Sequence, residues 1–350
     1  MKRLLKHKKT IALVLLFLIF AAAMLFYLNK VFDMKDDKHA EQTFASFYAQ
    51  KKNSLDGVYI GSSAVYRYWI PTQAYQKYGM RIFNISTGSQ PVVLQKYLIK
   101  EALKSQPDAK VILLDIRSII SPTKTLKESD ISRVTDSMPM SVNRIQAIHA
   151  ALKYFKAEGA DISYNKSYYY LSFLFYHNRW SDDLTRSDLN PKTKQNPYMG
   201  FIYDSSSTVV YPMRQPSYVS GTETLSADKK AVLEDLLDYC STLKQKVIFV
   251  SSPYQISESD QQELHSCENM IREKGFTFID FNTQKMTEKI GLDWSKDFLN
   301  TKHVNYNGAE KFTAYLSSYL NKHVQFKKHS DFASEKAWEK ASAALDRKLS

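Results

Sequence analysis

The chain has 350 residues, 44% of them hydrophobic and 13% aromatic, with 23 Tyr. That composition excludes an intrinsically disordered chain and supports one large domain or two small ones. The net charge is +12; five positives fall in the first nine residues, leaving 43 basic residues against 36 acidic ones. Such a surplus suits an anionic surface or polymer, and no nucleic-acid motif accompanies it, so nucleic acid is not the expected partner.

Ile11 to Leu28 is an unbroken apolar run of 18 residues, near the length a bilayer-spanning helix needs. Lys2, Arg3, Lys6, Lys8 and Lys9 precede it. After it, Lys30, Lys35 and Lys38 are matched by Asp33, Asp36 and Asp37. The positive-inside rule then predicts a cytoplasmic Met1 and an extracellular C-terminal domain. Ala21-Ala22-Ala23 offers a cleaved signal peptide as the rival reading. The run continues apolar from Met24 to Leu28, which fits an uncleaved single-pass anchor in the cell membrane better. The expected organisation is a cytoplasmic tail and anchor over 1–32 and a polar helical stalk over 33–54. A main domain over 55–325 carries an insertion or cap at about 120–225, and the charged stretch 326–350 reads as a peripheral helix or tail.

Within the main domain the first strand is Val58-Tyr59-Ile60, running into Gly61-Ser62-Ser63. Arg81 to Ile85 is a second strand, Pro91 to Leu103 a helix, and Lys110 to Asp115 a continuous apolar strand of the kind buried in a parallel sheet. The middle holds a helix near 141–156, an aromatic segment from Tyr168 to Tyr176 and a polar loop. The aromatic segment reads as core packing ahead of a sugar-binding platform. Then come a helix over 226–243, the strand Lys246 to Val250 ending in Ser251-Ser252-Pro253-Tyr254, a helix over 259–274 and the strand Thr277 to Asp280. Asp297 to Asn307 reads as a loop and Ala309 to Leu320 as a helix. Alternating strands and helices predict an α/β domain on a parallel sheet, with chemistry at the carboxyl ends of its strands.

Two segments carry candidate chemistry. Ser63 follows a strand at a Gly-led turn, where a serine hydroxyl can be exposed and nearby amides can hold an oxyanion. Taken alone, that serine also reads as a helix N-cap. His303 lies in the loop before the last helix of the domain, well placed to serve as a base for a serine at the sheet edge. Cys240 and Cys267 sit in separate predicted helices, so a disulfide is geometrically open; neither belongs to a CxxC pair. His149, His177 and His265 show no ligand spacing, so no metal is expected, and no cofactor is implied.

Together these segments resemble the SGNH/GDSL hydrolase superfamily. Gly61-Ser62-Ser63 matches its Gly-Asp-Ser block, with Ser62 in place of Asp. Asn300-Thr301-Lys302-His303 matches its Asp-x-x-His block, with Asn in the acid position. The trailing Val304 to Thr313 is similar to a pattern of a membrane-anchored bacterial branch, as are Pro253-Tyr254 and Asp280-Phe281-Asn282. Asn84 to Gly88 stands where the second block falls, and Asp115-Ile116-Arg117 where the third does, without its Asn. Asp115 is equally readable as a structural partner of Arg117 or a helix cap. The resemblance covers about 55–120 and 225–320.

What the resemblance implies is a flavodoxin-like, three-layer α/β/α domain with Ser63 as nucleophile and His303 as base. Asn300 would orient His303, or Asp297 would do so by another loop path. Ser63, Ser86, Gly88 and Arg117 would form the oxyanion hole. The branch is similar in layout to the alginate O-acetylation and D-alanyl-lipoteichoic acid biosynthesis proteins. It therefore implies an esterase or O-acyltransferase acting on a cell-surface polysaccharide or teichoic acid beside a membrane-bound O-acyltransferase (MBOAT). The alternative is a degenerate relative that binds glycan or scaffolds an acylation complex.

Overall fold

The structure is a computed structural model that describes residues 2–32, 38–121, 125–203 (except 164, 177, 183, 187 and 190–193), 212–326 and 329–350. His177 and part of the expected stalk, 33–37, lie outside the described residues. The chain divides into two units, one made of 1–36 and 163–193, the other of 37–162 and 194–350.

The smaller unit is built on the helix Lys2–Val31. Its segment His7–Val31, 25 residues long, is long and apolar enough to cross a membrane, and none of its most apolar window is buried. The short helices Lys166–Tyr170, Ser172–Phe175 and Arg179–Asp182 belong to the same unit. Tyr169 is wholly buried there and meets Phe175 edge-on at 5.7 Å, so this part of the aromatic segment packs as core. The middle of the chain is not one insertion: this stretch joins the N-terminal helix, whereas helices Glu128–Thr135 and Val142–Ala157 belong to the larger unit.

The larger unit is an α/β domain. Strands β1 (Gly57–Gly61), β2 (Ile82–Ser86), β3 (Val111–Asp115), β4 (Lys246–Ser251) and β5 (Thr277–Asp280) form one sheet in the order β2-β1-β3-β4-β5. Every pairing is parallel. The strands are buried almost throughout, which is why they read as continuous apolar runs. Alternation along the strands sends Tyr59, Leu113 and Ile248 into one core cluster with Phe312, Leu316 and Leu320 of helix Tyr306–His323. Helix Gln95–Ser105 packs on β1, and helices flank the sheet.

Three stretches pack more closely than the sequence suggested. The stretch read as a stalk contains helix Lys38–Tyr48, whose Ala40, Thr43, Phe44 and Phe47 share a buried stripe, with Phe47 edge-on to Phe83 of β2 at 5.7 Å. The charged tail contains helix Phe332–Leu349, which buries Trp338, Ala341, Ser342 and Leu345 at helical spacing. The stretch Asp297–Asn307 is not a plain loop: β6 (Phe298–Asn300) and β7 (His303–Val304) pair antiparallel within it. Cys240 and Cys267 are both free and buried, and burial pushes both thiols up to about 12, so they pack as small apolar groups.

Candidate active site

β1 delivers Ser63 to the carboxyl end of the sheet. A Cβ on Gly61 would come within 2.7 Å of Val65 Cγ2 and 2.8 Å of Asp115 Cβ, so only glycine fits where the strand enters the turn. Ser62 is extended and its side chain makes no capping bond; Ser63 opens helix Ser63–Tyr68. The N-cap reading therefore does not describe Ser63, whose hydroxyl is directed elsewhere.

That direction is His303. Nε2 of His303 stands 2.8 Å from Ser63 Oγ, across 240 residues of chain. The imidazole is set by the β6–β7 hairpin. Asn300 Oδ1 accepts the backbone N–H groups of Lys302 at 2.9 Å and His303 at 3.0 Å, and lies 3.2 Å from His303 Nδ1. Two backbone donors fix that atom as the amide oxygen, so Nδ1 carries the hydrogen and donates to it. Nε2 is then left unprotonated and accepts the Ser63 hydroxyl. Burial, followed by the charges of Arg117, Arg67 and Lys302, pushes His303 down to about 3. The ring is therefore neutral at ordinary pH, with Nε2 able to accept a hydrogen bond, and no carboxylate is among the groups that shift it.

Asp297, the other residue considered as orienter, is engaged away from the imidazole. Its carboxylate accepts the Asp293 N–H at 2.7 Å and pairs with Lys311 Nζ at 2.6 Å. This pairing ties the Asp297 side chain to helix Tyr306–His323, away from the imidazole. Of the two residues, Asn300 alone is placed against His303.

Asp115, at the end of β3, is fully buried. One carboxylate oxygen accepts the Arg117 N–H at 3.0 Å; the other accepts the Ser252 N–H at 3.2 Å and the Ser252 hydroxyl. Burial raises its pKa, while Arg117 and Ser252 oppose that rise. It latches the ends of β3 and β4 together, the structural reading. Arg117 lies with its guanidinium carbon 4.8 Å from the Tyr254 ring centre and 5.5 Å from that of Tyr68, and donates to Tyr68 Oη at 3.3 Å. Burial works against its charge, but Tyr68, Asp115 and Tyr254 outweigh it and the net shift is upward, so Arg117 stays cationic.

Ser62, Ser63, Ser89, Arg117, Tyr254 and His303 share the wall of a cleft of about 370 Å³. Of the expected oxyanion donors, Ser63 and Arg117 line it; Ser86 and Gly88 do not. Ser86 is buried beside Gly61 in the sheet, and the Gly88 carbonyl accepts Arg133 Nη1 at 3.1 Å. The adjoining wall is instead formed by Ser89, in a left-handed conformation at φ 51°, with Pro91 and Val92. Tyr68 carries no sequence signal that singles it out. Its hydroxyl lies 2.6 Å from the Pro253 carbonyl and 2.9 Å from the Lys302 carbonyl, joining the nucleophile's helix to the β4 loop and the histidine's hairpin.

Among the described residues no cluster of three or more His, Cys, Asp or Glu could hold a metal ion. His265 Nδ1 is 2.8 Å from the Gly221 carbonyl. Comparisons with family models and with curated proteins find no match to this chain.

Proposed function

We propose that this protein is a membrane-anchored serine acyltransferase or esterase of SGNH/GDSL type, with a flavodoxin-like three-layer domain outside the membrane. The observation that carries the reading is the 2.8 Å hydrogen bond between Ser63 Oγ and His303 Nε2, in a cleft shared with Arg117. The strand order β2-β1-β3-β4-β5 supports the fold assignment, since it matches that of flavodoxin-like sheets. The apolar N-terminal helix and the five cations before the apolar run support the anchor and its orientation.

Ser63 Oγ attacks the carbonyl carbon of an ester donor while its proton passes to His303 Nε2. The Ser63 amide and Arg117 stabilise the oxyanion. The C–O bond to the leaving alcohol breaks, the imidazolium returns its proton to that alcohol, and an acyl-Ser63 ester remains. A second hydroxyl, activated by His303, then collects the acyl group. Water makes the protein an esterase; a sugar or teichoic acid hydroxyl makes it an O-acyltransferase beside an MBOAT-type partner. Arg67, Arg117 and Lys302 near His303 favour an anionic acceptor.

A second reading is favoured by Asn300. Without a carboxylate the imidazolium is poorly stabilised; replacing a triad Asp by Asn lowers turnover by about 10⁴. The second reading is therefore a glycan-binding or scaffold protein with a vestigial cleft. A fluorophosphonate probe separates the two. The enzyme becomes labelled at Ser63, and labelling falls sharply in His303→Ala; a vestigial cleft stays unlabelled while glycan binding persists. Adding an acceptor glycan to an ester donor diverts acyl groups from water only in a transferase.

A further inference from the structure

The smaller unit holds a set of aromatic residues at one end of its apolar helix. The apolar run Ile11–Leu28 contains 18 residues, about 27 Å of helix at 1.5 Å each, close to the roughly 30 Å hydrocarbon core. A helix that spans the bilayer with this run leaves Asn29 to Phe32 at the headgroup layer. Those last turns are where the segment 163–189 attaches. Tyr27 Oη donates to the Leu189 carbonyl at 2.8 Å, and the Phe173 N–H donates to Asn29 Oδ1 at 3.1 Å. Arg179 Nη1 donates to the Val31 carbonyl at 3.2 Å, satisfying a helix-end acceptor. Phe32 stacks on Trp180 at 6.2 Å between ring centres.

The attached segment is unusually rich in the residues that favour a membrane interface. Tyr168, Tyr170, Phe173, Phe175 and Tyr176 are half-buried, and Trp180 and Leu189 are 74% and 50% exposed. Tyr and Trp, apolar at one end and polar at the other, concentrate at headgroup depth in membrane proteins. An exposed Trp and Leu are unfavourable in water but not in that layer.

We propose that residues 163–189 form an aromatic collar that sits in the lipid interface around the end of the spanning helix, with Trp180 in the headgroup and upper acyl region. The collar fixes the depth and tilt of the anchor, and its ligand is the bilayer itself. This rests on the anchor reading and is independent of the acyl chemistry. The argument is continuity: the collar is hydrogen-bonded to the turns where the lipid-exposed helix, with Phe17 and Phe20 at 68% and 62% exposure, leaves the hydrocarbon.

Trp180 makes the test direct, because the other three of the 4 Trp, namely Trp69, Trp294 and Trp338, are at most 5% exposed. The full chain is reconstituted in phosphatidylcholine/phosphatidylglycerol vesicles containing lipids brominated at shallow or deep acyl positions. Collar insertion predicts quenching that is stronger from shallow bromines and disappears in Trp180→Phe. Quenching of Trp180 by aqueous acrylamide without any bromine effect would overturn it. So would shielding from both quenchers, which would mean a protein partner such as a second copy. Carbonate extraction run in parallel separates the failures: a chain that stays in the membrane with Trp180 unquenched loses the collar alone, and a chain that washes off loses collar and anchor together.

Discussion

Two histidines sit at opposite ends of the same central sheet, and their partners differ. At the amino end of β1, His329 Nε2 lies 2.8 Å from Asp56 Oδ1, while Asp56 Oδ2 accepts the Arg81 N–H at 2.9 Å. At the carboxyl end, His303 faces Ser63 and is held by a neutral amide, Asn300. A carboxylate tied to a histidine and a buried backbone amide fastens the segment leading into helix Phe332–Leu349. The imidazole that meets a hydroxyl has no such charge, and burial plus three nearby cations keep it neutral. A histidine–carboxylate pair thus serves as a fastener at one end, while the histidine at the open end is oriented by a neutral amide.

The largest expected effect comes from dismantling the cleft pair. Ser63→Ala or His303→Ala lowers ester turnover by about 10³-fold or more, and the double variant is no worse than either single one, because the two act as a unit. Steady-state kinetics on an activated ester checks this. Next is conversion of one end's chemistry into the other's. Asn300→Asp places a carboxylate against Nδ1, raises the His303 pKa from about 3 and stabilises the imidazolium. Turnover rises by about 10-fold or more. The acid limb of the pH–rate profile, where protonation removes the base, moves up from near pH 3.

Asp56→Asn, at the fastening end, costs roughly 2 kcal/mol of stability and leaves the pH–rate profile unchanged. Thermal melting and kinetics together read both halves of that statement. Tyr68→Phe removes the hydroxyl shared by the Pro253 and Lys302 carbonyls and Arg117. It costs about 1 to 2 kcal/mol, expressed partly as a lower kcat with little change in KM, since His303 and Arg117 lose a common support. The smallest effect is that of a reducing agent, which leaves the melting temperature of the protein unchanged because both thiols are free.

The sheet was legible because its strands, buried on both faces, are short apolar runs with Gly, Asp or Ser at their ends; Thr277–Asp280 and Lys246–Ser251 lie within a residue of expectation. The Ser63–His303 pairing was expected from the resemblance of their two segments to the blocks of a known superfamily, and the strand end at Gly61 carries Ser63 to the histidine. What escaped depends on contacts that no periodicity encodes. Tyr68 clamps two carbonyls from distant loops, and Ser89, not Ser86 or Gly88, forms the cleft wall. The helices of the stalk and the tail were legible, but their docking was not, although Phe44 and Phe47, and Trp338 and Leu345, stood at helical spacing.

The most direct measurement is the rate at which a fluorophosphonate labels Ser63 between pH 3 and pH 8. A neutral His303 drawing the Ser63 proton predicts labelling that stays nearly level from pH 5 upward and falls only as His303 protonates near pH 3. It also predicts that His303→Ala, still folded by its melting curve, loses that labelling. Labelling in the His303→Ala protein equal to the parent, or no labelling of Ser63 at any pH, would contradict the account.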